Sequence, residues 1–143
     1  MNESLYLIAR IAGRAVAISA ARIDAVVDLD VVTPAPLAAA GVMGLAALRS
    51  RVVTVVDPRA VLDLPLDQAP SRRAVVTRID GHAYAILVEQ LEDVADHRVA
   101  PLPAGVMLGG WASAGLALIE RAGEPVLVVD LDRLIPHSAA LAA

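Results

Sequence analysis

Hydrophobic and polar positions follow one order twice along this chain. An apolar run, a short polar turn and a second apolar run occupy residues 5–18, and the same order returns over residues 74–88. Apolar, β-forming runs joined by such short turns predict β-hairpins. A second pair of apolar runs follows each hairpin, at residues 42–56 and 114–129. The pattern therefore predicts about five short strands in each half, at a spacing typical of small β-barrels.

The repetition extends to residue identities. At one fixed offset, residues 8–28 align with residues 76–96, so that Arg10 falls on Arg78. A chain that repeats a hairpin, a loop and a strand in one order is expected to fold as two similar units. Each unit alone would be marginal, because small domains bury too little surface.

The domain organisation follows from these repeats. We expect one domain over residues 1–143, with approximate repeats at 5–66 and 72–135 that form two β-barrel lobes around a common core. The repeat leaves open the order in which strands close each barrel, and strands could be exchanged between the lobes.

Two aspartates end the most apolar strands of the two repeats. Asp57 is followed directly by Pro58, and Asp130 occupies the corresponding place in the second repeat. A carboxylate followed by proline is typical of a helix start, with an N-cap and then proline at the first helical position. We interpret Asp57 and Asp130 as structural helix caps and expect a short helix over residues 59–64. A duplicated pair of catalytic carboxylates would be unusual.

Two other segments have more than one interpretation. Ser19 could cap a short helix, whereas residues 26–32 can equally form a third strand. Residues 89–94 predict a short acidic helix or a strand. The spacing of the acidic residues there puts several on one helical face, which either faces solvent or forms an acidic docking surface. These residues are Glu89, Glu92, Asp93 and Asp96.

Two long stretches carry no charge, at residues 31–48 and 99–119. Their prolines and glycines favour apolar loops and strands over a membrane-spanning helix. Residues 66–72 are polar and are the expected joint between the lobes. The tail at residues 137–143 is expected to fray.

Composition and motifs exclude several functions. The net charge is −4, aromatic residues make up 2% of the chain, and there is no cysteine. These values argue against a nucleic-acid surface and against a cysteine-based zinc site. The histidines at 82, 97 and 137 do not share metal-ligand spacing, and no nucleophile or phosphate-loop motif occurs. We therefore expect no metal, no cofactor and no catalysis; a ligand-binding barrel would need a buried pocket with converging polar groups.

Three segments resemble the CheW family, the adaptor domains of bacterial chemotaxis arrays. Residues 43–59 read MGLAALRSRVVTVVDPR and are similar to the family segment RGVINLRGRVVPVIDLR. Residues 74–94 and 128–135 resemble the family's second-half and C-terminal patterns. The resemblance covers nearly the whole chain, in order and at the right length.

The resemblance implies an all-β fold of two pseudo-symmetric, five-stranded, SH3-like barrels with short helices. It also implies a cytoplasmic, non-catalytic adaptor that is recruited to membrane-associated receptor arrays. Its expected partners are the cytoplasmic tip of a chemoreceptor and the regulatory domain of a CheA-type histidine kinase, with no nucleic acid and no membrane insertion. The alternative is a divergent module that regulates a kinase in an accessory motility or developmental pathway.

Arg49 falls on the family's arginine that is important for receptor and array coupling. The neighbouring apolar residues Val42, Leu45 and Leu48 are then candidate partner contacts in a groove between the lobes. The chain departs from the family pattern at four positions of this segment, where it carries Ala47, Ser50, Thr54 and Pro58.

Overall fold

A computed structural model describes residues 3–35, 38, 40–66, 69 and 71–136, and most of them form strands. The strands are β1 (Glu3–Ile11), β2 (Arg14–Ser19), β3 (Ala25–Asp28), β4 (Val42–Leu48), β5 (Arg51–Val56), β6 (Arg73–Ile79), β7 (His82–Leu87), β8 (Gln90–Arg98), β9 (Ala100–Pro101), β10 (Gly115–Arg121) and β11 (Glu124–Val129). The helices are α1 (Pro58–Val61) and α2 (Gly110–Ala114), with 3₁₀ helices at Ala20–Arg22 and Leu131–Leu134. The predicted all-β class is confirmed.

Tight turns join the hairpins β1–β2, β6–β7 and β10–β11. In each of the three, a residue with positive φ precedes a glycine with positive φ, at positions 12–13, 80–81 and 122–123. Two-residue turns of type I′ need positive φ at both positions, and glycine adopts that conformation without a steric penalty. The predicted hairpins at these turns are confirmed.

The strands form two sheets, each of which takes strands from both repeats. Lobe A is the sheet β8-β1-β2-β11-β10-β9, and lobe B is the sheet β3-β6-β7-β5-β4. Each lobe thus contains the first hairpin of one repeat and later strands of the other. The exchanged hairpins join their new sheets through the parallel pairs β2–β11 and β5–β7. The lobes therefore exchange strands, a possibility that the sequence left open.

Both sheets curl until their edges approach. In lobe B, Thr33 and Leu45 exchange backbone hydrogen bonds of 2.8 and 2.9 Å, which connect the segment after β3 to β4. This approach requires glycine at position 44, because a Cβ on Gly44 would lie 2.0 Å from the Thr33 carbonyl oxygen. In lobe A, β8 lies against β10.

The central strands bury both of their faces. In β1, Leu7 points into a core shared by the two lobes, whereas Tyr6 and Ile8 point into the interior of lobe A. In β7, Ile86 lies in the shared core and Ala85 in the interior of lobe B. Successive strand side chains point to opposite faces. The described residues therefore form three hydrophobic clusters, one inside each lobe and a larger one between them.

The two predicted caps occupy equivalent places beneath the shared core. Asp57 precedes α1, and its Oδ1 accepts a hydrogen bond of 3.0 Å from the Arg59 backbone N–H. The Asp57 carboxylate also accepts from the Arg59 guanidinium, at 2.7 Å from Nη2. Asp130 accepts from the Asp132 backbone N–H at 3.1 Å, at the start of the last 3₁₀ helix. Both carboxylates thus satisfy helix-start N–H groups.

Three expectations about local structure need correction or refinement. Residues 89–94 belong mainly to β8, so the helical interpretation of this segment is wrong. The helix predicted over residues 59–64 begins at Pro58 and ends at Val61, because Asp63 adopts a φ of 57° that a helix cannot continue. The uncharged stretch at residues 99–119 contains α2 in addition to the expected strands and loops.

Other expectations lie partly or wholly outside the described residues. The tail at residues 137–143 is outside them, as are residues 67–68 and 70 of the joint. The described end of the joint is tied to lobe B, because the Arg72 guanidinium donates to the backbone carbonyls of Leu29 and Asp30.

The shared core predicts that the two lobes unfold together. Ile86→Ala removes a fully buried side chain from this core and is expected to lower the free energy of unfolding by about 2–5 kcal/mol. Guanidinium titrations followed by far-UV circular dichroism and by fluorescence of Trp111, the single tryptophan, should give one coincident transition. Val31→Ala, at a side chain that is 72% exposed, is the control and should change stability by at most about 0.5 kcal/mol. Separate transitions for the two probes would contradict the shared core.

Candidate partner-binding site

Arg49 stands at the tip of the hairpin between β4 and β5, where it is exposed. Its φ is 56°, whereas Ser50 is not among the described residues with positive φ. This turn therefore lacks the second left-handed residue that glycine supplies in the other three hairpins. Ser50, which stands where the family segment has glycine, thus lies in a turn that does not need a Gly-only conformation. Within the described part of the chain, the Arg49 guanidinium makes no ion pair or hydrogen bond.

A groove of about 600 Å³ opens beside this hairpin, at one end of lobe B. We call it the lobe B mouth. It is lined by residues from the start of β3, the β4–β5 hairpin and β6: Asp24, Ala25, Val26, Val27, Leu48, Arg49, Ser50, Arg51 and Val76.

The lobe B mouth has an apolar floor and a charged rim. Val76 belongs to the interior cluster of lobe B, and the half-buried Val27 and Leu48 pack against that cluster. The rim carries the exposed Arg49 and Arg51 beside the acidic Asp24. An apolar floor with a few polar groups at its edge is typical of a binding groove.

The structure brings only two of the four predicted contact residues into this mouth. Leu48 and Arg49 line it, whereas Val42 packs against the shared core. A β-bulge between Val42 and Gly44 shifts the alternation of side chains along β4. Leu45 lies on the opposite face of β4 from the buried Ala46. A role of Val42 and Leu45 in partner binding stays a prediction.

At the corresponding end of lobe A, two arginines hold one carboxylate. Glu92 lies 2.7 Å from Arg10 and 2.9 Å from Arg121, and its side chain is only 15% exposed. We call these three residues the lobe A clasp. The hydrogen bond from the Arg10 guanidinium, followed by that from Arg121, lowers the pKa of the Glu92 carboxyl. Arg10 and Arg121 lie on β1 and β10, which contribute to the interior cluster of lobe A, and Glu92 lies on β8, which pairs with β1.

A second and looser clasp forms part of the lobe B mouth. Asp24 lies 3.9 Å from Arg51 and 3.9 Å from Arg78, and the three side chains are 46%, 47% and 47% exposed respectively. We call these residues the lobe B clasp. The fixed offset of the repeat places Asp24 on Glu92 and Arg78 on Arg10. Neither clasp was predicted from the sequence, although the equivalent positions of Asp24 and Glu92 in the two repeats are a signal for them.

The acidic residues after β7 do not share a helical face. Because residues 90–98 form a strand, that part of the prediction is wrong. Glu92 is held in the lobe A clasp, and Glu89 accepts a hydrogen bond of 2.7 Å from the Gly13 backbone N–H. Asp93 accepts from the backbone N–H of Val94. Two of the four acids thus support contacts that cross between the repeats.

The described ranges contain neither a metal-ligand cluster nor a helix that could cross a membrane. In those ranges, no group of three or more His, Cys, Asp or Glu residues is placed to hold a metal ion. His82 and His97 lie on different strands, and His137 is outside the described residues. No described helix has both the length and the apolar composition needed to cross a bilayer.

The fold and the mouth define a two-lobed β-protein with an open groove between strand ends. The family model of the CheW-like domain matches residues 5–139, so the chain belongs to the CheW-like domain family. The chain is also similar to the crystal structure of the scaffolding protein TtCheW from Thermoanaerobacter tengcongensis. The TM-score is 0.82 at 14% sequence identity, over 97% of both chains, which establishes a shared fold. No curated protein sequence matches the chain significantly.

The lobe A clasp predicts a pH-dependent contribution to stability. Glu92→Gln removes a carboxylate whose pKa is lower in the folded protein than its ordinary value of 4.5. The ionised group therefore stabilises the fold above that value, and this contribution is lost as the pH falls through the lower folded pKa. The melting temperature of Glu92→Gln should be lower than that of the wild type at pH 7, and the difference between the two melting temperatures should become smaller once the pH drops below 4.5. The exposed Glu124→Gln is the control, and an equal deficit for both variants would count against the clasp.

Proposed function

We propose that this protein is a non-catalytic adaptor of a bacterial chemotaxis-type signalling system. It couples the cytoplasmic tips of chemoreceptors to the regulatory domain of a CheA-type histidine kinase, and it works in the cytoplasm at membrane-associated receptor arrays. Membership of the CheW-like domain family and the scaffold fold support this role. The observation that carries the receptor part is the lobe B mouth, where Arg49 lies beside an apolar floor and has no hydrogen bond or ion pair with any described residue.

The adaptor mechanism is binding on two sides. A receptor tip is helical in this proposal, and an amphipathic helix seats apolar side chains in a groove while polar groups contact the rim. Leu48 and Arg49 meet both needs at the lobe B mouth. The kinase pairs with another barrel end. Signalling then follows from how the adaptor holds the kinase, because binding that favours one kinase conformation raises the population of that conformation.

A divergent module in an accessory motility or developmental pathway is the second candidate. It is favoured by the altered turn at Ser50, which changes the hairpin that carries Arg49. Thr54 by contrast is accommodated: it lies between Leu45 and Tyr84 in the sheet and is 8% exposed. Pro58 occupies the first position of α1, where its missing N–H is not needed. Only the partner's identity separates the two candidates.

The first prediction of this proposal concerns Arg49. Arg49→Ala is expected to weaken binding to a chemoreceptor signalling domain about tenfold, a loss of about 1.4 kcal/mol. Alanine and arginine both carry a Cβ, so the strain of the positive φ stays similar and the melting temperature should stay close to that of the wild type. Fluorescence anisotropy with a labelled receptor domain measures the affinity, and Arg98→Ala, at an exposed position on lobe A, is the control. Undiminished binding by a folded Arg49→Ala protein would remove Arg49 from the receptor site.

The second prediction concerns the kinase. Calorimetric titration with the CheA-type regulatory domains from the same genome should show saturable binding to one of them, which would also name the pathway. Absence of binding to every such domain, with the protein shown to be folded, would favour a module with unrelated partners.

A further inference from the structure

The two lobes carry equivalent clasps that differ in how firmly the carboxylate is held. In the lobe A clasp, Glu92 makes hydrogen bonds of 2.8 and 2.9 Å to Arg10 and Arg121. In the lobe B clasp, Asp24 stays 3.9 Å from each arginine, beyond hydrogen-bond distance. The lobe A clasp is thus a hydrogen-bonded ion triad, whereas the lobe B clasp has no hydrogen bond between its charged groups.

The charge at the lobe B mouth is unbalanced. Arg49 and Arg51 line this mouth with a single carboxylate, that of Asp24, and Asp24 also lies 3.9 Å from Arg78 just outside the lining. All four side chains are exposed, so the excess positive charge faces the groove and the solvent. A guanidinium group that lacks a hydrogen-bonded partner can bind a carboxylate by donating two parallel hydrogen bonds to it.

The floor of the mouth specifies what must accompany that carboxylate. Val76 is 3% exposed, and the partly buried Leu48 and Val27 continue the apolar surface outward. An isolated anion would cover none of this surface. A protein segment with an acidic residue next to an apolar one would match both the rim and the floor.

We propose that the lobe B mouth binds an acidic–apolar segment of a partner protein, whose carboxylate displaces Asp24 from Arg51 and Arg78. Asp24 is a placeholder in this scheme: it neutralises part of the rim in the free protein and competes with the incoming carboxylate. The proposal rests on the proposed function only where it names the chemoreceptor tip as the source of the segment. It assigns Arg51, Arg78 and Asp24 a recognition role beyond that of Arg49.

The competition gives opposite signs for the two kinds of substitution. Exposed ion pairs contribute up to about 1 kcal/mol, which corresponds to a factor of about five in affinity. Asp24→Asn should therefore raise the affinity about two- to fivefold, while Arg51→Gln and Arg78→Gln should each lower it by a similar factor. Both arginine variants should also reduce the salt dependence of binding, because they remove a charge from the contact.

The test uses the full chain and two probes. The first is a capped peptide that carries glutamate between two leucines, with a glutamine peptide as its neutral counterpart, titrated into ¹⁵N-labelled protein. The second is the receptor signalling domain used for Arg49. Arg73→Gln is the matched control: Arg73 lies at the other end of β6 from Arg78, and it also forms an exposed ion pair, with Asp28 at 2.9 Å.

We expect the glutamate peptide to shift the amide signals of residues 24–27 and 48–51. The glutamine peptide should bind more weakly, and the Arg73→Gln protein should bind the glutamate peptide with the affinity of the wild type. Equal binding of the two peptides, shifts elsewhere, or no shifts would overturn the proposal, as would reduced affinity of a folded Asp24→Asn protein. If substitutions at Asp24, Arg51 and Arg78 leave the affinity for the receptor domain unchanged, this proposal is overturned and the adaptor role stays intact. If the peptide binds at the lobe B mouth but the receptor domain does not bind at all, the adaptor role is overturned and this proposal stays intact.

Discussion

The shared hydrophobic core between the two sheets is the constraint on which the rest of the structure depends. Neither lobe could bury enough surface alone at this size. Exchange of the first hairpins means that β2 and β7 each have one face in the shared core and the other in a lobe interior. Such strands must be apolar at nearly every position, as buried parallel strands are. The same exchange fixes where the strand ends lie, and so positions the lobe B mouth and both clasps.

Local signals made much of this fold predictable from the sequence. The pair of apolar runs over residues 42–56 predicts two strands, and they are observed as Val42–Leu48 and Arg51–Val56, because continuous apolar runs bounded by turns leave little freedom. Segments whose structure depends on distant contacts were harder. Strand β8 carries acids at a spacing that also suits a helix, and its partner β1 decides between the two. Helix α2 depends on a close approach, since a Cβ on Gly110 would lie 2.3 Å from the Leu62 Cα.

The candidate site was predicted only in part, and for the same reason. The β4–β5 hairpin, Arg49 and Leu48 are local features, and the structure places both residues at one mouth. The clasps connect different repeats, because Arg10 of the first pairs with Glu92 of the second, and Arg78 of the second with Asp24 of the first. Those pairs exist only once the hairpins have been exchanged. An alignment of the repeats shows that Arg10 is equivalent to Arg78 and Asp24 to Glu92. It does not show that each arginine pairs with the acid of the other repeat.

The difference between the two clasps follows from small changes in otherwise equivalent frameworks. Glutamate at position 92 reaches one methylene further than aspartate at position 24. The second arginine also differs, since Arg121 ends the outgoing strand β10 whereas Arg51 begins the returning strand β5. The lobe A clasp therefore forms a triad of charge-assisted hydrogen bonds, and such bonds are among the stronger polar contacts in proteins. The other retains an exposed pair whose contribution is small. Because its ion pairs are weak, the lobe B clasp contributes little to stability, and Arg51 and Arg78 stay available to bind another carboxylate. The lobe A clasp instead stabilises the framework that presents these arginines.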